Sequence, residues 1–218
     1  DELPDVATWG NGVVQVFLQN AEGTLDPPLS YSLVYGWHDL EVGDVNNDGL
    51  TDIIVMSRQG VYDPPLIGVL TQKTGGFNPA VYYASRGGTI GVGDANGDGL
   101  NDVVNASNEV CVLTQNNIGT LNAEVCYQMY YDPGAVDVDD VNGDGRKDIV
   151  VFHSDYSSVS IYLQGPSGVL AAEELRWMSC GLGSGAYPHA LAIGDINSDG
   201  AKDIITLDRC WGLEVLYR

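Results

Sequence analysis

Basic residues are scarce in this chain. Nine lysines and arginines stand against thirty aspartates and glutamates, for a net charge of −21 over 218 residues. Such an excess repels phosphate backbones and anionic lipid, and so argues against nucleic acid and anionic membrane as partners. No run approaches the roughly 20 apolar residues of a bilayer-spanning helix. No secretory leader is visible, as is true of any mature secreted chain. The four cysteines show no C-x-x-C spacing, which removes the usual zinc and dithiol signatures. Charged residues of all kinds make up only 18% and histidines number three, so helix formers and general acid–base groups are both thin.

Glycine (28) and tyrosine (12) are plentiful, and one nine-residue phrase recurs. DVNNDGLTD occupies residues 44–52, followed by DANGDGLND from Asp94, DVNGDGRKD from Asp140 and DINSDGAKD from Asp195. Side-chain oxygens at the first, third, fifth and ninth positions converge on one point, and the sixth-position glycine lets the chain turn to aim them. In the first copy these are Asp44, Asn46, Asp48 and Asp52, with the backbone carbonyl of Leu50 as a fifth ligand. The other copies supply Asp94, Asn96, Asp98, Leu100 and Asp102; Asp140, Asn142, Asp144, Arg146 and Asp148; and Asp195, Asn197, Asp199, Ala201 and Asp203. An all-oxygen donor set favours calcium over zinc or copper, and magnesium would demand a tighter octahedron. About four Ca2+ per chain are expected. Twelve of the thirty acidic residues lie at these positions, and four calcium ions would reduce the charge to about −13.

An EF-hand shares the opening of this loop but needs a glutamate at position twelve, where the chain has Val55, Asn105, Val151 and Thr206. The stretch after each loop is instead β-branched: Asp52-Ile53-Ile54-Val55, Asp102-Val103-Val104, Asp148-Ile149-Val150-Val151 and Asp203-Ile204-Ile205-Thr206. An apolar pair precedes each loop, as in Val42-Gly43 and Val92-Gly93, so the loop joins two strands. A third strand is expected at Val16-Phe17-Leu18-Gln19, Val69-Leu70-Thr71-Gln72, Val112-Leu113-Thr114-Gln115, Ile161-Tyr162-Leu163-Gln164 and Val215-Leu216-Tyr217-Arg218. A fourth is expected at Ala80-Val81-Tyr82-Tyr83 and Ala123-Glu124-Val125-Cys126-Tyr127. The loops begin 50, 46 and 55 residues apart, the period of propeller blades. The expected fold is therefore all-β, a β-propeller of four-stranded antiparallel blades with the calcium loop between first and second strands. Residues 1–218 form one domain of about five units: 1–36 (partial), 37–87, 88–133, 134–187 and 188–218 (partial).

These loops between short strands resemble the FG-GAP or VCBS-type calcium-binding β-propeller repeats, found in the integrin α-subunit head and in many secreted microbial and fungal proteins. The resemblance spans essentially the whole chain. It implies calcium at one rim of the blades, held by the loop oxygens named above. The phenylalanine-glycine and glycine-alanine-proline phrases that name the repeat are degenerate or absent here.

Residues 1–6 align with 48–53, as though the chain began halfway through a fifth loop, and it closes after a third strand. The expectation is that longer sequence or neighbouring chains complete these terminal edges, by self-association into a ring or filament. Cys111 and Cys126 fall on consecutive strands of one hairpin, which favours disulfides 111–126 and 180–210. Asn105-Ala106-Ser107 matches a glycosylation acceptor. His38 and His189 each sit six residues before a loop, and Trp9, Trp37, Trp177 and Trp211 fall near expected turns, where aromatic faces can stack on sugars. His153-Ser154-Asp155 lacks nucleophile-elbow glycines, and metal-bound carboxylates are poor bases. The expected role is non-enzymatic: an extracellular or cell-surface calcium module for adhesion or self-assembly. The alternatives are a glycan-binding lectin and the non-catalytic part of a secreted hydrolase or lyase.

Overall fold

The computed structural model describes residues 3–33, 39–57, 63–154, 156, 158–178, 191–208 and 212–218. Among them there is no helix. Five antiparallel sheets succeed one another along the chain. The first holds β1 (Val6–Gly10), β2 (Val13–Phe17) and β3 (Leu29–Ser32). The second holds β4 (Leu40–Gly43), β5 (Asp52–Ser57), β6 (Leu66–Leu70) and, after a two-stranded ribbon of β7 (Gln72–Lys73) and β8 (Gly76–Phe77), β9 (Val81–Ala84). The third is β10 (Thr89–Gly93), β11 (Asp102–Ala106), β12 (Glu109–Leu113) and β13 (Val125–Gln128). The fourth is β14 (Pro133–Asp139), β15 (Asp148–His153), β16 (Ser158–Tyr162) and β17 (Glu174–Trp177). The fifth has three strands, β18 (Leu191–Gly194), β19 (Asp203–Asp208) and β20 (Gly212–Leu216).

The β-branched runs after each loop lack polar alternation because both of their faces are covered. Every residue of β5, β11 and β15 is buried. Ile53 and Val55 pack towards Val14 and Val16 of the first sheet, while Ile54 and Met56 pack towards Ile90 and Val103 of the third. The same division recurs in β15, where Ile149 and Val151 join Val104 and Val110, and Val150 and Phe152 join Ile204 and Leu191. Each such aliphatic side chain contributes about 1.5–3 kcal/mol on burial. The outer strands β9, β13 and β17 are partly exposed.

The first strands β4, β10, β14 and β18 lie side by side in order. Glycine permits this approach: a Cβ on Gly43 would lie 2.6 Å from Val92 Cγ1, and one on Gly93 would lie 2.7 Å from Val138 Cγ1. Among the described residues none of the sheets is closed. The fourth strands begin later than expected, at Val81 and Val125, because the N–H groups of Asn78 and Asn122 turn back to the carbonyls of Thr71 and Thr114 at 2.9 and 2.8 Å and delay the pairing.

Candidate metal centre

Loops A (44–52), B (94–102), C (140–148) and D (195–203) each join the first strand of a sheet to the second. One hydrogen-bond pattern shapes all four. The first aspartate collects backbone N–H groups from its own turn: Asp44 accepts from Asp48 at 3.2 Å and Gly49 at 2.8 Å, and Asp94, Asp140 and Asp195 do the same. The third-position asparagine oxygen accepts from the N–H of the fifth residue at 2.8–2.9 Å in every loop. Two residues per loop adopt left-handed backbone. Glycine at position six was legible; position four, occupied by Asn47, Gly97, Gly143 and Ser198, was not.

The ninth aspartates do something that spacing alone does not reveal. Asp52, Asp102, Asp148 and Asp203 are fully buried. In Asp52, one oxygen accepts the N–H of Val45 at 3.1 Å and the other that of Gln72 at 2.8 Å. Asp102 bridges Ala95 and Gln115, Asp148 bridges Val141 and Gln164, and Asp203 bridges Ile196 and Arg218 in the same manner. Asp5 holds the N–H of Gln19 at 2.9 Å, as its alignment with Asp52 implies. This carboxylate ties the loop to the third strand. The donor is a backbone N–H, supplied by Gln72, Gln115 and Gln164 and by Arg218 alike, so side-chain identity does not signal it.

Neighbouring units also touch the loops. Asn101 of loop B donates to the carbonyl of Asp44 at 3.1 Å, and Gln164 donates to that of Asp94 at 2.9 Å. The turns after the third strands fit beneath the preceding loop: a Cβ on Gly119 would lie 2.9 Å from Asn46 O, and one on Gly168 only 1.8 Å from Asn96 O.

Electrostatically, these loops concentrate like charge. Burial pushes Asp102 up to about 7, with Asp98 and Asp94 adding to the rise against N–H bonds from Gln115 and Ala95. Asp52 and Asp148 are raised from the same cause, burial first, with their neighbouring loop aspartates contributing. Asp140 lies below the usual carboxylate range, because N–H groups of Gly145, Gly143, Asn142 and Asp144 outweigh its burial. Among the described residues no ion pair is made by the aspartates of loops A and B. Oxygen-only donors, without cationic partners in loops A and B, suit a hard divalent cation of calcium's kind, although among the described residues no loop brings three acidic oxygens within 4.8 Å of one another.

More than half of the chain matches the FG-GAP-like repeat model, over residues 1–55, 94–151 and 140–206. The chain belongs to the FG-GAP-like repeat family. Its four shared loops join the first two strands of the second to fifth sheets. No curated protein matches it. A solved structure of the Tc holotoxin pore of Photorhabdus luminescens is similar at 13% identity and a TM-score of 0.43, covering 98% of this chain. The chain spans 13% of the length of that toxin chain.

Other expected sites fare differently. Cys111 and Cys126, cross-strand neighbours on β12 and β13, are joined by a disulfide. Their sulfurs are thereby closed to a metal, although Glu109 lies close to both. Cys180, Cys210, His38, His189, Trp37 and Trp211 lie outside the described residues. Asn105 is fully buried on β11 and donates to the carbonyl of Gly87 at 3.2 Å, so it is not presented as a glycosylation acceptor. Trp9 packs among the core of the first two sheets. Trp177 is 55% exposed. His153 is fully buried and bonded to Ser160 Oγ at 2.6 Å and the carbonyl of Tyr131 at 2.8 Å; burial depresses its pKa.

Proposed function

We propose that this FG-GAP-like chain is a non-catalytic, extracellular calcium-binding module whose sheets form part of a β-propeller and whose ions stiffen one rim for contact with a protein partner or another copy. The observation that carries this reading is the repeated set of Asp, Asn and Asp oxygens, held by each loop's own N–H groups and left without cationic partners in loops A and B. Consecutive antiparallel sheets with adjoining first strands support the propeller. Among the described residues β1 and β20 each pair on one side only, so a further strand, from the same polypeptide or another, has backbone groups to meet.

The test is metal stoichiometry with melting. A site whose dissociation constant is one hundredth of the free calcium stabilises by about 2.7 kcal/mol. Chelation should lower the melting temperature by tens of degrees. Asp98→Ala should lose one ion per chain and Asp132→Ala, outside the loops, none. Equal metal content in the two variants would sink the assignment.

One observation favours a second reading, glycan binding. Tyr130 makes edge-on contacts with Tyr131, Tyr156, Trp177 and His153 at centroid distances of 5.2–6.0 Å. Tyr131 (70%) and Trp177 remain exposed at the end of the fourth sheet away from loop C, a platform able to stack on a sugar face. Saccharide binding on a glycan array, abolished by Trp177→Ala, would support it.

A further inference from the structure

Loop C departs from its three companions at one residue. The seventh position holds Leu50, Leu100 and Ala201 elsewhere but Arg146 here. Its backbone behaves as theirs do, donating to the fifth-position Asp144 Oδ1 at 3.0 Å. Its side chain folds back: the guanidinium pairs with Asp144 Oδ2, and Nε donates to the carbonyl of Gln164 at 2.8 Å. In loops A, B and D that oxygen, Oδ2 of Asp48, Asp98 or Asp199, is held by the neutral amide of the third-position asparagine at 3.0, 3.0 and 2.9 Å.

Further cations gather on this side. Lys147 of loop C and Lys202 of loop D grip opposite oxygens of Asp139, which stands where the other units have Gly43, Gly93 and Gly194. Arg218 donates to the carbonyl of Val141, the second residue of loop C, at 3.3 Å. Four of the chain's nine basic residues thus surround loops C and D.

We propose that Arg146 is a built-in counter-ion that makes loop C the weakest calcium site of the four, filled only after A, B and D. This rests on the calcium reading of the loops. A guanidinium is charged at every accessible pH, and its planar fork is anchored at both ends, on Asp144 and on the strand end at Gln164. An incoming divalent cation meets a positive charge within the loop and must compete for Asp144, whereas in the other loops it has only a neutral amide to displace. Loop C consequently keeps its turn without an ion, and occupancy of the rim is graded with calcium concentration.

The experiment is calcium titration of the full chain, followed calorimetrically and by native mass spectrometry, with four proteins compared. The wild type should take three ions before a fourth at least about tenfold weaker, the effect of roughly one repelling charge at the site. Arg146→Gln should tighten the fourth step by about that factor, and Lys73→Gln, outside loop C and the residues bonded to it, should leave that step alone. Asp144→Asn should abolish only the weak step, which assigns it to loop C without depending on the arginine variant. Four equal sites in the wild type, or loss of a tight step in Asp144→Asn, would overturn the inference while leaving the calcium reading intact. Absence of any bound calcium would overturn both.

Discussion

The side-chain amide of Gln164 donates to the backbone carbonyl of Asp94, 2.9 Å away and 70 residues earlier in the chain. The same residue's N–H is held by Asp148 at 2.8 Å, so one glutamine joins loop B to loop C through the end of a third strand. Loops B and C are thereby mechanically linked.

Gln164→Ala should cost about 1–3 kcal/mol, because it removes a buried donor and strands a carbonyl. It should also weaken calcium at loop B relative to loop A. Urea unfolding measures the first effect and titration the second. A variant with unaltered stability would show that the link carries no load.

Glycine replacement separates conformational strain from collision. Gly99 and Gly168 both have left-handed backbone, φ +85° and +75°, but only Gly168 faces a neighbour. Gly99→Ala should cost the left-handed penalty of about 1–2 kcal/mol. Gly168→Ala should cost clearly more, since its Cβ would lie 1.8 Å from Asn96 O and the turn would have to leave loop B. Equal losses in a denaturant series would count against the packing of that turn beneath the loop.

Glu41 on β4 gives a pH dependence with a definite sign. Burial, then the charges of Asp39 and of Asp137 on β14, push its carboxyl from 4.5 up to about 7. The folded chain therefore holds this proton more tightly than the unfolded chain. Its contribution to stability is greatest below pH 4.5 and is lost as the pH rises through about 7. Glu41→Gln should remove that slope and be more stable than the wild type above pH 7, as read from the difference between their unfolding curves at matched calcium. A difference that does not vary with pH would refute the assignment.

The Cys111–Cys126 bond closes a segment with a sequence separation of 15. Replacing both residues by alanine should cost about 3 kcal/mol by restoring entropy to the unfolded chain. Because β12 and β13 are also held by backbone pairing, calcium binding at loop B should persist in the folded fraction. Loss of metal at loop B in that fraction would mean that the disulfide also positions the site.

The nine-residue loops, the strands flanking them and the hairpin that pairs Cys111 with Cys126 were legible because each is local. A turn whose first aspartate bonds N–H groups four and five residues later needs nothing from elsewhere in the chain. A β-branched run likewise declares a buried strand wherever it lies. Spacing could not contain the contributions of another strand or sheet. The second bond of Asp52 comes from Gln72, the space denied to Gly168 is taken by Asn96, and Trp9 packs towards a neighbouring sheet's aliphatic side chains instead of lying open on a turn. Asn105 matches a glycosylation acceptor in sequence, yet it lies in a strand covered on both faces. Arg146 could be counted as a charge at position seven, but its direction, back onto Asp144 and across to Gln164, depends on where β16 ends. Local hydrogen bonding is set by neighbours in sequence, and burial and partner choice are set by neighbours in space, so only the tertiary structure could decide which of four similar loops carries its own cation.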